Sequence, residues 1–226
     1  MLGASSSNDA PTRHEEYYFE VIIFLVEDTL FRVPRYAFEE SPIFHDMFSL
    51  PVSTSVHDGQ SDEQPLHLQG ILHTDFEQLL RVMYPLQPRK TPSLEKEEWI
   101  SVLKLSTMWE FHSMRALAIT QLTALLYGDP TGRFVLARQY KVKEWFTSAA
   151  NELVRRAHPI NFEEAQLIGF DIALKLAALR ERPVQLNHHG REFVTFRGAK
   201  AFDYVATITQ SVLKEEYSEV SDYDRQ

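Results

Sequence analysis

The sequence predicts an α+β protein: a small sheet flanked by short helices, followed by an all-helical extension. Three observations carry that class. Two apolar runs near the start, "YYFEVIIFLV" and "LFRV", alternate as strands, and the helix signals between residues 34 and 84 are short and broken by prolines. Beyond residue 93 the apolar spacing is helical over most of its length.

Residues 1–16 are rich in Ser, Asn, Asp and Pro near the start and are expected to form a disordered leader without the apolar centre of a secretory signal. From Tyr17 both alternating faces are apolar: Phe19, Val21, Ile23 and Leu25 on one, Tyr18, Ile22, Phe24 and Val26 on the other. That pattern suits a strand covered on both sides. "EDT" turns the chain and "LFRV" returns. Pro34 has no N–H to give a ladder but fits the first turn of a helix, so the chain is expected to change state there and run as the short helix "PRYAFEE". Ser41 is an N-cap with Pro42 at the first helical position, and Ile43, Phe44, Met47 and Phe48 fall on one face before Pro51.

Residues 52–64 read as a polar loop and "PLHLQG" as a short strand. Thr74 with Glu77 makes a capping box for a helix whose Phe76, Leu79, Leu80, Met83 and Tyr84 keep one face until Pro85. Residues 86–93 form a proline-rich linker. Then "LSTMWEFHSMRALAITQL" from Leu105 and "LARQYKVKEWFTSAANEL" from Leu136 align at a constant offset of 31 residues, pairing Trp109 with Tyr140, Phe111 with Val142, Met114 with Trp145 and Ala118 with Ala149. One helical-hairpin design is used twice: a helix ends at an aromatic residue, an apolar side chain plugs the turn, and an alanine lets two backbones approach. Asp129-Pro130 opens the second copy, His158-Pro159 ends it, and Asn161 with Glu164 starts a further helix carrying Ala165, Ile168, Ile172 and Leu176 until Pro183. The tail, residues 186–226, offers the strand "EFVTF", a helix around 199–214 and an acidic end.

In their order and spacing these elements resemble the BTB/POZ family, particularly its fungal members. The hairpin "FEVIIFLVEDTLFRV", the pair "PRYAFEESPIFHDMF", the run "DFEQLLRVMYP" and the hairpin "LSTMWEFHSMRALAI" carry the likeness over residues 17–127, and residues 128–185 look like the helical extension that often follows such domains. The resemblance implies a BTB/POZ-like fold and a protein-interaction module that dimerises or recruits partners. It also implies a second role, as substrate adaptor of a cullin-type ubiquitin ligase. The leader lacks the amphipathic helix that swaps between subunits in many family dimers. Pro34-Arg35 replaces a common His-Lys. The apolar-x-Glu motif of cullin adaptors has its nearest match in Val56-His57-Asp58. Val56, Asp58 and Phe48 are therefore the candidate partner-contact residues.

The residues supply little chemistry. Eight glycines make no phosphate-binding or nucleophile-elbow motif, and the chain has no cysteine for thiolate catalysis, disulfides or thiolate zinc sites. His188-His189 is the only adjacent histidine pair and has no ligand-spaced partner, while His45-Asp46 and His73-Thr74-Asp75 read as surface and capping residues. No cofactor or metal is expected, and a metal-dependent or hydrolytic enzyme is the weakest reading. A net charge of −9 argues against nucleic acid as a direct partner. The longest apolar run, "VIIFLV", is far too short to span a membrane, and the cysteine-free composition fits the cytoplasm or nucleus. Arg155-Arg156 and the Arg180/Arg182 pair read as solvated helix faces. Most of the aromatic stripe Phe38, Phe44, Phe48, Phe76, Tyr84 and Trp99 is expected inside, with one or two rings left to anchor a partner.

Overall fold

A computed structural model describes residues 11–50, 58–85, 93–181 and 210–221. Its sheet has three strands, with the first in the chain at the centre. Strands β1 (Val21–Val26) and β2 (Thr29–Pro34) pair antiparallel from Val21 opposite Pro34 to Val26 opposite Thr29, and β3 (Leu66–His67) lies parallel to β1 on its other side. The strand begins four residues later than the alternation suggested. The last ladder bond runs from the Arg35 N–H to the Glu20 carbonyl, where the chain leaves the strand for a 3-10 helix, and Tyr17, Tyr18 and Phe19 lie exposed ahead of it. Within the strand Ile22, Ile23, Phe24 and Val26 are buried, so both faces are covered. A turn at Gly59, φ 87°, seals the sheet beside β3: its carbonyl accepts the Ile23 N–H at 2.8 Å, and a Cβ there would stand 2.9 Å from the Ile22 side chain.

After Pro34 the chain turns through a 3-10 helix, Arg35–Glu40, and enters α1 (Pro42–Ser49). Ser41 caps α1 as expected. Its hydroxyl accepts the Phe44 N–H at 3.3 Å and donates to the Trp109 carbonyl at 2.5 Å, fully buried. Of the four residues read onto one face, Phe44 is buried and Met47 and Phe48 partly so, whereas Ile43 is exposed. Helix α1 is only eight residues long, and it presents a narrower apolar stripe than four side chains need. Phe24, Phe38, Phe44, Phe76, Trp109 and Phe111 form the heart of the core in tilted and edge contacts, with Phe44 stacked on Phe111, and with Phe24 4.7 Å and Phe44 5.0 Å from Phe38.

Helix α2 (His73–Met83) is not capped by Thr74 and Glu77. It starts two residues too early for that box, with Leu72 at the N-cap. Instead Glu27, in the β1–β2 turn, accepts the His73 N–H at 2.9 Å and lies 2.6 Å from His73 Nδ1. Asp75 is not a surface residue either: it is buried against α3 (Lys96–Met108), where Lys104 reaches it at 2.7 Å and Ser101 at 2.6 Å. Burial alone would raise its pKa, but donation from Lys104 and Ser101 outweighs that and holds the carboxyl below its usual range.

The doubled hairpin is realised in detail. Helices α3 and α4 (His112–Leu125) are repeated by α5 (Pro130–Gln139) and α6 (Lys143–Arg155). Both inner turns close the same way. Glu110 and Lys141, 31 residues apart, take φ 57° and 56°, and the next N–H reaches back five residues, Phe111 to Ser106 and Val142 to Ala137, each at 2.9 Å. This is a Schellman closure in which Phe111 and Val142 are the buried plugs. Ala118 and Ala149 are fully buried at the equivalent close approaches. Arg115 of α4 donates to the Tyr140 carbonyl at 2.8 Å and Trp145 of α6 to Thr123 of α4 at 2.8 Å, joining the two hairpins.

Asp129 caps α5 through the Gly132 N–H, and Asn161 with Glu164 forms a full capping box on α7 (Phe162–Ile168). The helix expected to continue through Leu176 breaks at Gly169, φ 97°, and restarts as α8 (Phe170–Glu181). Its Ala165, Ile168, Ile172 and Leu176 are nevertheless all buried. Arg156 and Arg180 are not solvated faces. Arg156 grips Glu164, and Arg180 lies over the end of α6, 3.1 Å from the Leu153 carbonyl and 2.9 Å from that of Arg156. In the tail residues 210–212 are helical and α9 (Lys214–Ser221) follows, with Leu213 and Val220 in the core and Glu216 2.8 Å from Lys175. The segment "EFVTF", Pro51, Pro183, His188-His189 and most of 199–214 lie outside the described residues, as do residues 1–10 of the leader.

Candidate interaction surface

The N-terminal end of the hairpin gathers four exposed aromatic residues. Tyr17, Tyr18 and Phe19 stand 72, 56 and 53% exposed before β1, and Tyr36 of the 3-10 helix 55%. The chain path explains the gathering. Arg35 donates its N–H to the Glu20 carbonyl at 2.8 Å, which closes the ladder past Pro34 and sets the residues on either side next to each other. The Phe19 and Tyr36 rings are 5.6 Å apart, and Tyr36 meets Tyr84 edge-on at 6.1 Å. Tyr84 in turn donates its hydroxyl to the Pro34 carbonyl, and burial together with the neighbouring Tyr36 holds its phenol well above the ordinary pKa. It is a fixed neutral donor at any physiological pH. The result is a ridge of rings, Phe19–Tyr36–Tyr84, anchored at its inner end and wet at its outer one.

Arg35 forms the flank of the ridge. Its guanidinium lies 4.2 Å over the Phe48 ring and pairs with Glu39 at 2.9 Å and Glu20 at 3.6 Å. These contacts are partly exposed, so their worth is in orientation more than in stability. Of the six rings in the aromatic stripe, Phe38, Phe44, Phe76 and Trp99 are buried, and Phe48 and Tyr84 are the two left at the surface.

The three sequence-derived contact residues fare differently. Phe48 is half-buried on α1 with one face taken by Arg35, so it borders the ridge without standing free. Asp58 is exposed in the turn just before Gly59. Val56, with His57, lies outside the described residues. Sequence reasoning missed Tyr36 and misplaced Tyr17–Phe19 in the strand; the signal for both was the change from strand to helix after Pro34, which leaves no strand opposite the residues ahead of Glu20. His45 and Asp46 are exposed on α1, and no cluster of metal-binding side chains occurs among the described residues.

A model of the BTB/POZ domain matches residues 11–124, half of the 226-residue chain. The chain belongs to the BTB/POZ domain family. Its three-stranded sheet with flanking helices is the BTB-like α+β fold, and α5–α9 follow as a helical extension beyond the matched residues. No curated protein and no solved structure matches the chain significantly. BTB/POZ domains are protein–protein interaction modules that associate with themselves or with other proteins. The ring ridge lies within the matched segment, on elements the BTB/POZ fold itself positions. No helix among the described residues is long and apolar enough to cross a membrane.

Proposed function

We propose that this BTB/POZ chain is a non-catalytic recruitment module, working in the cytoplasm or nucleus, that binds a second copy of itself or another protein through the ridge of Phe19, Tyr36 and Tyr84. One observation carries the reading: Phe19 and Tyr36 stand more than half exposed against a partly buried, hydrogen-bonded Tyr84, which is the composition and geometry of interface anchors. The frame needs no ordering on contact, so less of the binding energy is lost to entropy. The likeness to fungal members belongs to the same reading and rests on the order and spacing of the strand and helix motifs, while Pro34-Arg35, in place of a common His-Lys, marks a divergent branch. Size-exclusion chromatography with light scattering, followed by affinity capture of the full chain, tests it. Self-association or a reproducible partner lost on Tyr36→Ser is the expected result; a monomer without a partner contradicts it.

The second reading is recruitment of a cullin-type ligase scaffold. It is supported by the exposure of Asp58 beside the turn that Gly59 pins to β1. Titration with a purified cullin N-terminal region separates the two, because no binding at tens of micromolar removes the adaptor role.

A further inference from the structure

We propose that the outer face of α8, with the adjoining end of α7, docks a cationic amphipathic helix of another protein. This face is separate from the ridge and lies outside residues 11–124, in the helical extension. Helix α8 is apolar on both sides. Ile172, Ala173, Leu176 and Leu179 are buried inward, while Phe170 and Leu174, one turn apart, stand 51 and 71% exposed. An exposed apolar stripe opposite the buried one marks a contact surface. The break at Gly169 brings Phe162 alongside, its ring 5.5 Å from that of Phe170, and Leu167 on α7 is exposed as well. Phe162, Phe170 and Leu174 thus form a contiguous apolar strip of the kind that accepts the i, i+3, i+4, i+7 anchors of a helix.

The surrounding charge selects the occupant. Glu163 and Asp171 are exposed beside the strip. The cations nearest in sequence are engaged: Lys175 pairs with Glu216 at 2.8 Å and only secondarily feels the Asp171 charge, Arg156 pairs with Glu164 at 2.6 Å, and Arg180 is spent on the α6 carbonyls. A second copy would set the same carboxylates against each other, on a chain of net charge −9. A helix with lysines or arginines around a leucine-rich face meets both the apolar strip and the acidic rim.

The probe is a labelled peptide with Leu at i, i+3, i+4, i+7 spacing and Lys elsewhere, read by fluorescence anisotropy against the full chain, beside a twin in which Glu replaces Lys. Saturable binding of the Lys peptide is expected, weakened about tenfold by Leu174→Ser or Phe162→Ser, lowered by salt and by Asp171→Asn, and absent for the Glu twin. All three altered side chains are exposed, and circular dichroism melting checks that each variant folds. The proposal is overturned if the Lys peptide does not bind, if both peptides bind equally, or if the variants bind as the parent does. It is also overturned if light scattering finds a dimer that Leu174→Ser dissociates, or if a photo-crosslinker at position 174 captures residues 182–209 of the same chain.

Discussion

Replacing Ser41 with alanine removes one hydroxyl and two bonds at once. The side chain has no solvent exposure, accepts the Phe44 N–H to cap α1, and donates to the Trp109 carbonyl at the end of α3. Loss of an N-cap costs about 0.5–2 kcal/mol. A buried carbonyl stripped of its donor costs about 1–3 kcal/mol more. Both effects fall on one site between Phe44 and Trp109, whose rings are 5.3 Å apart and leave little room for a replacing water. The expected loss is about 2–4 kcal/mol, or, for a chain of this size, a melting temperature lower by about 6–12 °C at 3 kcal/mol. Urea unfolding followed by tryptophan fluorescence measures it directly, since Trp109 reports on the same joint. A loss under about 1 kcal/mol would refute the reasoning, because it would mean that neither bond is made or that the carbonyl finds water.

Three further outcomes follow from named contacts. Glu27→Ala should increase hydrogen exchange at the His73 amide and leave the Leu79 amide unchanged, because only the first turn of α2 uses the Glu27 carboxylate. Glu110→Gly and Lys141→Gly should each stabilise the chain, by up to about 1 kcal/mol in urea melts, because glycine takes the positive φ of these turns without strain. Glu164 is held at about 2, first by the Arg156 side chain and then by the Asn161 and Thr131 donors. Its folded pKa lies below the usual 4.5, so the stabilisation it brings is complete above that value and is lost as pH falls from there towards 2. After discounting for solvent screening this is about 1–2 kcal/mol, and Glu164→Gln should remove that part of the acid dependence of stability.

Much of this fold is legible in the sequence because much of its punctuation is local. Ser41-Pro42, Asp129-Pro130 and Asn161 with Glu164 each place an acceptor within three residues of the N–H it caps, and all three caps form. The repeat at offset 31 is legible for the same reason, since Trp109 and Tyr140 close identical turns. What could not be read depends on residues far apart in the chain. Glu27 caps a helix 46 residues away, Lys104 buries a carboxylate 29 residues before it, and Arg180 binds carbonyls more than 20 residues earlier. Nothing at Glu110 or Lys141 announces a left-handed residue, because only glycine or asparagine would have marked one. The surface is legible in outline only. Composition shows that rings are abundant, but whether Tyr84 or Trp99 reaches solvent is decided by the packing of helices around β1.

The most direct test of the account is quantitative binding of the full chain to its own second copy or to a captured partner, measured by isothermal titration for the parent protein and for Phe19→Ser and Tyr36→Ser. Both substitutions fall on exposed rings, so the fold should persist while affinity drops at least about tenfold. Affinity unchanged in both variants would contradict the claim that this ridge is where the domain meets its partner.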